Sequence, residues 1–396
     1  MTIDRNSTYL LAAKRTPIGA FLGALSSKTA PELGSVAMRA ALESAKVGGE
    51  QIDEVYMGNV LSAGIGQAPA RQASLGAGIP NTVPTTTVSK VCGSGLQAVI
   101  LGHRALQVGE AQLVVAGGME CMSQTPHYLK DSRTGTKMGN CQLIDGMVHD
   151  GLWDPYNDYH MGQAAELCAA KYDCSRDAQD AFAAESYRRA LSAQQSGNFT
   201  AELAAVEVPV RKGDPLIVSE DEEPGRGKPE KFAKLRPAFD KQGTITAANA
   251  SSINDGAAAI VLARGEQVLE RGHKPLARIV ATGAAAHEPQ WFTTAPALAI
   301  EVALRRAKLS AHDIDLWEIN EAFSCVTMAC AQLAQVDLEK VNVNGGAVAL
   351  GHPIGASGAR ILTTLVHALL ARDAARGLAT LCIGGGEAVA VIVERV

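Results

Sequence analysis

Two stretches of this 396-residue chain decide the fold, PELGSVAMRAALESAKVGGEQIDEVYMGNV at 31–60 and PALAIEVALRRAKLSAHDIDLWEINEAF at 296–323. In each, the spacing of apolar residues predicts an amphipathic helix, followed by a loop and a short strand. In the first stretch the strand is expected at 55–57. Ile52-Asp53 in the first stretch corresponds to Ile314-Asp315 in the second. We interpret the two stretches as an internal duplication.

The correspondence continues along the chain. Gly93-Ser94-Gly95 matches Ala356-Ser357-Gly358, and each triplet is followed by a predicted helix and by a strand ending in glycines, LVVAGGME in one case and ATLCIGGGE in the other. Repeated helix and strand units with apolar strands predict two α/β halves, each built on a sheet covered by helices. Functional groups are then expected where strands end.

An unmatched stretch, 121–250, separates the duplicated parts and is richer in Asp, Glu, Gln and Lys. We interpret it as an insertion. Its middle, SRDAQDAFAAESYRRALSAQQSG, predicts a helix that Ser175 caps and Gly197 ends. The stretch 211–236 mixes charges with Pro and Gly, which favours a solvated loop.

Composition excludes several classes of protein. The chain is 47% hydrophobic with charged residues spread throughout, so it is not disordered. Its net charge of -5 lacks the positive excess that general nucleic-acid binding requires. No uninterrupted apolar run approaches the ~20 residues of a membrane helix, and the start lacks the pattern of a secretory signal. Eight cysteines without a C-x-x-C pair fit neither a zinc ribbon nor a disulfide scaffold. We therefore expect a cytoplasmic protein without membrane contact.

Cys92 lies in SKVCGSGLQAVILGHRALQVGE, where a helix is expected to begin just after it. Free N–H groups and the helix dipole at such a position favour a thiolate, so we expect the pKa of this thiol to be lowered. A buried structural cysteine is the ordinary alternative. The flanking glycines favour a functional role, because they would be wasteful in a helix meant only for packing.

Three further polar residues occupy comparable positions. His352 lies in a glycine-rich turn before an amphipathic helix, Cys382 ends an apolar strand before three glycines, and Asn320 follows another strand. A histidine on a rigid turn can accept a thiol proton and then stabilise an oxyanion. Taken singly, each residue could be a turn former or a small buried residue. Together, four such groups at loop positions of two duplicated halves indicate a catalytic site.

These residues lie in motifs that resemble those of the thiolase family, in particular its acetoacetyl-CoA thiolases. In chain order the motifs are VCGSGLQA, GGMECMS, YHMGQAAE, GTITAANASSINDGAA, INEAF, GGAVALGHPIGASGAR and CIGGG. The resemblance covers essentially the whole chain. It implies interconversion of two acetyl-CoA with acetoacetyl-CoA and coenzyme A. It implies no prosthetic group and no metal.

The resemblance also implies a layered α-β-α-β-α fold and an assembly. The expected domains are an N-terminal half at 1–120 plus 251–272, an inserted loop domain at 121–250 that binds coenzyme A, and a C-terminal half at 273–396. The expected assembly is a homotetramer built as a dimer of dimers, with acyl-CoA esters as the small-molecule partners.

By the same resemblance, Cys92 is the acyl-accepting nucleophile, His352 its activator and Cys382 the acid/base that acts on carbon. Asn320, through a water, forms one oxyanion site with His352. The N–H groups of Cys92 and Gly384 form a second. Two such sites make chemical sense, because Claisen condensation passes through both an enolate and a tetrahedral intermediate.

Coenzyme A contacts are carried over in the same way. They are Leu152, His160, Met161, Leu235, Phe239, Ala247, Ser251, Ala322 and Phe323. A basic cluster, Arg226, Lys228, Lys231, Lys234 and Arg236, would offset the phosphates of the ligand in an acidic protein. Arg226 is assigned to the nucleotide end.

The sequence departs from the family pattern in four places. Ser89, Cys121 and Ala248 replace the usual Asn, Ser and Gly, and none of these changes removes a catalytic group. In HEPQWFTTAP, Phe292 takes the place of a pocket methionine, which alters the expected shape of the acyl and pantetheine pocket.

Three alternatives remain at the level of sequence. A degradative thiolase for longer 3-ketoacyl-CoA esters is disfavoured by His160 directly before Met161-Gly162. A decarboxylating ketoacyl synthase would use two histidines and lack a residue like Cys382. A non-catalytic acyl-CoA or lipid-binding protein on the same scaffold would have lost at least one catalytic motif, and all four are intact.

Overall fold

A computed structural model describes residues 3–396. The helices are α1 Ala30–Ala45, α2 Pro69–Gly76, α3 Ser94–Val108, α4 Met161–Lys171, α5 Arg176–Gln195, α6 Gly265–Arg271, α7 Ala295–Ala307, α8 Ser324–Leu333, α9 Ala347–Leu350 and α10 Ile354–Ala371. The strands are β1 Thr8–Arg15, β2 Gly19–Ala20, β3 Glu54–Gly58, β4 Thr85–Val88, β5 Leu113–Cys121, β6 His127–Tyr128, β7 Ile144–Asp145, β8 Trp153–Asp154, β9 Tyr159–His160, β10 Val206–Val208, β11 Leu216–Val218, β12 Asn254–Arg264, β13 Ala277–Ala286, β14 Leu316–Ile319, β15 Arg376–Ile383 and β16 Glu387–Arg395.

The predicted duplication is present in the backbone. The series β1-α1-β3-α3-β5-β12 in the N-terminal half is repeated as β13-α7-β14-α10-β15-β16 in the C-terminal half. The matched aspartates even make the same contacts. Asp53 accepts the N–H groups of two successive residues at the start of β5, and Asp315 accepts those of two successive residues at the start of β15.

The two halves share one sheet. Its strand order is β14-β15-β16-β13-β1-β12-β5-β3-β4, with β2 paired to β12. The join between the halves is short, since only Tyr9 opposite Arg278 and Leu10 opposite Ala277 connect β1 to β13. The sequence predicted a sheet for each half, and the structure links them through this two-residue contact.

Helices α3 and α10 lie between the two halves and form the middle layer. Leu96, Val99, Leu362 and Leu365 are fully buried there against strands of both halves. Helices α1 and α2 cover the outer face of the N-terminal half, and α7 and α8 cover that of the C-terminal half. The result is the layered α-β-α-β-α arrangement that the sequence predicted.

The middle layer requires close helix packing. A Cβ atom at Gly95 would overlap the backbone of α10, and one at Gly358 would overlap Leu96 of α3. The duplicated glycines therefore let the two helices cross closely, just beyond the turns that carry Cys92 and His352.

In the described chain, one helix is long and apolar enough, by length and composition, to cross a membrane. It is α10, and 83% of it is buried inside the protein. Burial on this scale is what a core helix requires.

The segment between β5 and β12 contains α4, α5 and several short hairpins. The side chain of Ser175 accepts the Ala178 N–H at 3.2 Å to cap α5, and Gly197 follows its end at φ 75°, as predicted. Most side chains of 211–236 are exposed, in keeping with the predicted loop, but Leu216–Val218 form strand β11 and pair with β10. The exceptions are Val218, Asp221, Pro224 and Phe232, which are buried.

Asp221 is buried because it anchors this segment to β1. Arg15, which is fully buried, donates two hydrogen bonds to Asp221 at 2.7 and 2.9 Å, and one to Glu202 at 2.6 Å. A buried guanidinium needs such complete pairing, because an uncompensated charge in the interior is strongly destabilising. The domain boundaries given above stay a prediction.

Candidate active site

Residues from both halves and from the segment between them meet at one cavity of about 300 Å³. Eleven of the predicted site residues line it: Cys92, Leu152, His160, Met161, Phe239, Ser251, Phe292, Ala322, Phe323, His352 and Gly384. The wall is mostly apolar, with a few polar groups set into it, which is the usual composition of a pocket for a small molecule.

Cys92 lies in a tight turn directly before α3. The preceding Val91 has φ 45°, a conformation that a β-branched residue rarely adopts. The hydroxyl of Ser94 holds this turn, because it accepts the Lys90 N–H at 2.8 Å and donates to the Val91 carbonyl at 2.7 Å. The turn therefore fixes the position of the thiol.

The predicted lowering of the Cys92 pKa is wrong. Burial raises the pKa of this thiol to about 11, against the opposing effect of the N–H groups of Gly384 and Cys92. The nearby Glu120 carboxylate raises it further. Desolvation disfavours the thiolate more than the helix start favours it, so Cys92 is a neutral thiol that needs a base.

His352 has the features of such a base. Its backbone N–H donates to Asn254 Oδ1 at 3.0 Å, and its Nδ1 lies 2.6 Å from Ser357 Oγ. The Ser357 hydroxyl donates its own hydrogen to the Pro353 carbonyl at 2.9 Å. Ser357 Oγ therefore accepts a hydrogen bond from the N–H at His352 Nδ1. The Nε2 atom is buried and has no hydrogen-bond partner among residues 3–396.

Burial, with a smaller contribution from Arg360, lowers the pKa of His352 to about 3. The imidazole is therefore neutral at physiological pH. With the proton on Nδ1, the lone pair of Nε2 is free to accept a proton. This is the protonation state that a general base requires.

Cys382 and Asn320 are both buried, and neither forms part of the cavity lining. Burial, followed by the neighbouring thiols of Cys92 and Cys330, raises the pKa of Cys382 well above its ordinary value. Asn320 directly follows β14, and its side-chain N and O atoms have no partner in the part of the chain that the structure describes. A buried, unpaired amide is costly unless a ligand or a solvent molecule satisfies it.

The predicted coenzyme A contacts include some residues that line the cavity and some that lie outside it. His160, Phe239 and Phe323 form an aromatic wall, with ring centroids 4.8 Å apart for the stacked first pair and 6.2 Å apart for the edge-on second pair. Three residues lie outside the cavity lining with exposed side chains: Arg226, Leu235 and Ala247. The Nη1 atom of Arg226 lies 3.9 Å from Oε1 of Glu223.

The sequence analysis assigned no chemical role to three buried residues that support the site. Ser357 fixes the tautomer of His352, while Asn254 and Glu120 contact the backbone around it. Ser357 was visible as the counterpart of Ser94 in the duplication. Glu120 and Asn254 were visible only as polar residues at the ends of apolar strands.

Within residues 3–396, no cluster of three or more His, Cys, Asp or Glu side chains is arranged to hold a metal ion.

Comparison with known families agrees with this fold and cavity. The family described as thiolase, N-terminal domain, matches residues 8–266, and the family described as thiolase, C-terminal domain, matches residues 273–395. The chain belongs to the thiolase family.

Individual relatives are similar over almost their full length. An acetyl-CoA acetyltransferase of Schizosaccharomyces pombe is 49% identical over 98% of each chain. A Gibberella zeae protein described as "Acetyl-CoA acetyltransferase ERG10, cytosolic" is 50% identical over 98% of each chain. The crystal structure of the Acat5 thiolase from Ascaris suum in complex with coenzyme A superposes with a TM-score of 0.94, at 45% identity, over 98% of this chain and 100% of that one.

Proposed function

We propose that this protein is an acetyl-CoA C-acetyltransferase. It interconverts two acetyl-CoA with acetoacetyl-CoA and free coenzyme A, with coenzyme A as a substrate and no prosthetic group. The observation that carries the proposal is that Cys92 and a buried, neutral His352 line the same apolar cavity. Relatives at about 50% identity that are named for this activity support it.

The first half-reaction follows from the protonation states. His352 Nε2 takes the proton of the Cys92 thiol, and the thiolate attacks the thioester carbonyl of acetyl-CoA. The tetrahedral oxyanion is met by the N–H groups of Cys92 and Gly384, which already face the sulfur. Collapse breaks the bond to coenzyme A, whose sulfur takes the proton of the Cys382 thiol, while His352 keeps the proton that it took from Cys92. The acetyl group stays on Cys92, so ping-pong kinetics are expected.

The second half-reaction uses the buried groups beside the cavity. Cys382, left as a thiolate by the first half-reaction, removes a proton from the methyl group of a second acetyl-CoA, and the enolate oxygen accepts hydrogen bonds from the protonated Nε2 of His352 and from a water held by Asn320. The enolate carbon attacks the acetyl carbonyl on Cys92, the Cys92–acyl bond breaks to give acetoacetyl-CoA, and the Cys92 sulfur takes its proton back from His352. The unpaired amide of Asn320 is a preorganised donor for this step.

The coenzyme A contacts form the outer part of the proposed site. The aromatic wall of His160, Phe239 and Phe323 suits the pantetheine arm, and Leu235 and Ala247 extend it toward the surface. The exposed Arg226 would meet the phosphates at the nucleotide end. Its weak, 3.9 Å contact with Glu223 leaves the guanidinium free to pair with phosphate.

We further propose a cytoplasmic homotetramer. A relative whose name places it in the cytosol supports the location. Leu129, Met138 and Leu143, in the segment between β5 and β12, are exposed apolar side chains, and they support self-association through this segment.

The direct test is thiolysis of acetoacetyl-CoA by the purified protein, with Cys92→Ala beside the wild type. We expect robust thiolysis by the wild type and none above background by the variant. Cys141→Ala is the matched control, because Cys141 is exposed and is not one of the cavity residues. Full activity in Cys92→Ala, or equal loss in the control, would refute the proposed nucleophile.

A further inference from the structure

The turn that carries His352 runs from Gly351 to Gly355, and two side chains of the N-terminal half lie against its two ends. Asn254, at the start of β12, accepts the His352 N–H through Oδ1 at 3.0 Å. Glu120, near the end of β5, accepts the Gly355 N–H through Oε2 at 2.9 Å. Both side chains are completely buried.

The two glycines make these contacts possible. A Cβ atom at Gly351, which has φ 101°, would overlap the amide of Asn254, and a Cβ atom at Gly355 would overlap the carboxylate of Glu120. Each glycine thus provides space for one polar side chain from the other half. Both positions therefore need glycine to leave space for these side chains, and Gly351 needs it also because of its positive φ.

Asn254 is itself firmly held. Its Nδ2 donates to the Gly19 carbonyl at 3.0 Å, and the Ser252 hydroxyl donates to its Oδ1 at 2.8 Å. Its orientation is therefore fixed by groups outside the C-terminal half before it meets the His352 N–H.

Glu120 is also fixed on the N-terminal side. It accepts the Asn59 side-chain amide at 2.7 Å and the N–H groups of Val60 and Leu61 at 3.1 Å. The two residues lie close together because Gly256, two residues after Asn254, pairs with Glu120 across β12 and β5.

We propose that Asn254 and Glu120 are positioning residues that set the distance between the His352 base and the Cys92 nucleophile; this rests on the proposed function. Cys92 belongs to the N-terminal half and His352 to the C-terminal half, so their geometry depends on how the halves are tied. The two side chains tie the His352 turn directly to strands of the half that carries Cys92. Misplacement of a reacting group by about 1 Å is enough to slow a reaction by about 10²-fold.

The test measures the rate at which acetyl-CoA acetylates Cys92 in a single turnover, together with KM for acetyl-CoA and the melting temperature. In Asn254→Ala we expect the acetylation rate at saturating acetyl-CoA to fall at least about tenfold, with KM within about twofold of wild type. Glu120→Gln keeps the size of the side chain and is expected to slow acetylation in the same way. It also provides the measurement if Asn254→Ala does not fold.

Asp53→Asn is the matched control. Like Asn254 and Glu120, Asp53 accepts hydrogen bonds from backbone N–H groups. Its two donors, Gln112 and Leu113, lie in the same half as Asp53, so it does not tie the two halves together. It should lower the melting temperature without slowing acetylation. Wild-type acetylation rates in both Asn254→Ala and Glu120→Gln would overturn the inference, and so would an equal slowing in Asp53→Asn. If the wild type itself does not acetylate Cys92, the proposed function fails instead.

Discussion

Replacement of Ser357 by alanine tests whether the base is held in one tautomer. The 2.6 Å contact between Ser357 Oγ and His352 Nδ1 is buried, and it keeps the proton on Nδ1 and the lone pair on Nε2. Without it, a buried N–H loses its acceptor, at a cost of about 1 to 3 kcal/mol. The imidazole can then carry its proton on Nε2, where it cannot accept one from Cys92. We expect acetylation of Cys92 to slow by about 5- to 150-fold.

The pH dependence of Cys92 alkylation by iodoacetamide distinguishes this cause from general destabilisation. From pH 5 to 8 the imidazole of His352 is neutral, since its pKa is about 3, and Cys92 is a thiol, since its pKa is about 11. Because His352 takes the thiol proton as the sulfur attacks iodoacetamide, the rate follows the population of this neutral pair, which is constant over the range. Wild-type alkylation should therefore be nearly level from pH 5 to 8. In Ser357→Ala only free thiolate reacts, and the rate should rise about tenfold per pH unit.

Ser74→Ala is the control for the Ser357 experiment, because Ser74 is equally buried and its hydroxyl has no partner in the described chain. It should keep the level pH profile. A level profile in Ser357→Ala, with acetylation at the wild-type rate, would refute the reasoning about the tautomer.

Cys382→Ser should still acquire acetyl on Cys92 but lose condensation by about 10²- to 10⁴-fold, since serine is a much weaker acid and base; full condensation activity would contradict this role. Thiolysis efficiency, kcat/KM, should fall at least about tenfold from acetoacetyl-CoA to 3-ketohexanoyl-CoA, because Met161 limits the cavity, and Met161→Ala should recover part of the loss. Equal or rising efficiency with the longer ester would favour a degradative thiolase. Asp221→Asn leaves Arg15 incompletely paired in the interior, so urea denaturation should show about 3 to 5 kcal/mol less stability; a change below about 1 kcal/mol would show that the pair is not an anchor.

Much of the fold was predictable because the duplication repeats local signals. The helix, loop and strand around Asp53 and Asp315 follow from apolar spacing, and both copies form as expected. The contact between Tyr9 and Arg278 that joins the two halves of the sheet was not predictable, because no local pattern specifies which strands pair across the halves. The burial of Asp221 escaped prediction for a similar reason, since its partner Arg15 lies 206 residues away.

The functional site also has features that local sequence predicts and features that depend on the folded structure. Cys92, His352, Cys382 and Asn320 could be singled out because each lies at the end of a strand or in a glycine-rich turn. The direction of the Cys92 pKa shift was wrong, because a helix start is a local feature whereas desolvation depends on the whole fold. Positions in the sequence likewise could not show that Ser357 fixes the tautomer of His352, which depends on a hydrogen bond within the folded turn.

The central claim is that Cys92 carries the acyl group between the two half-reactions. It is tested most directly by incubating the purified protein with acetyl-CoA and mapping the acetyl group by peptide mass spectrometry. The account predicts one acetyl group on the peptide that contains Cys92, removed again when free coenzyme A is added. An acetyl group on Cys382, or no acetylated peptide at all, would contradict it.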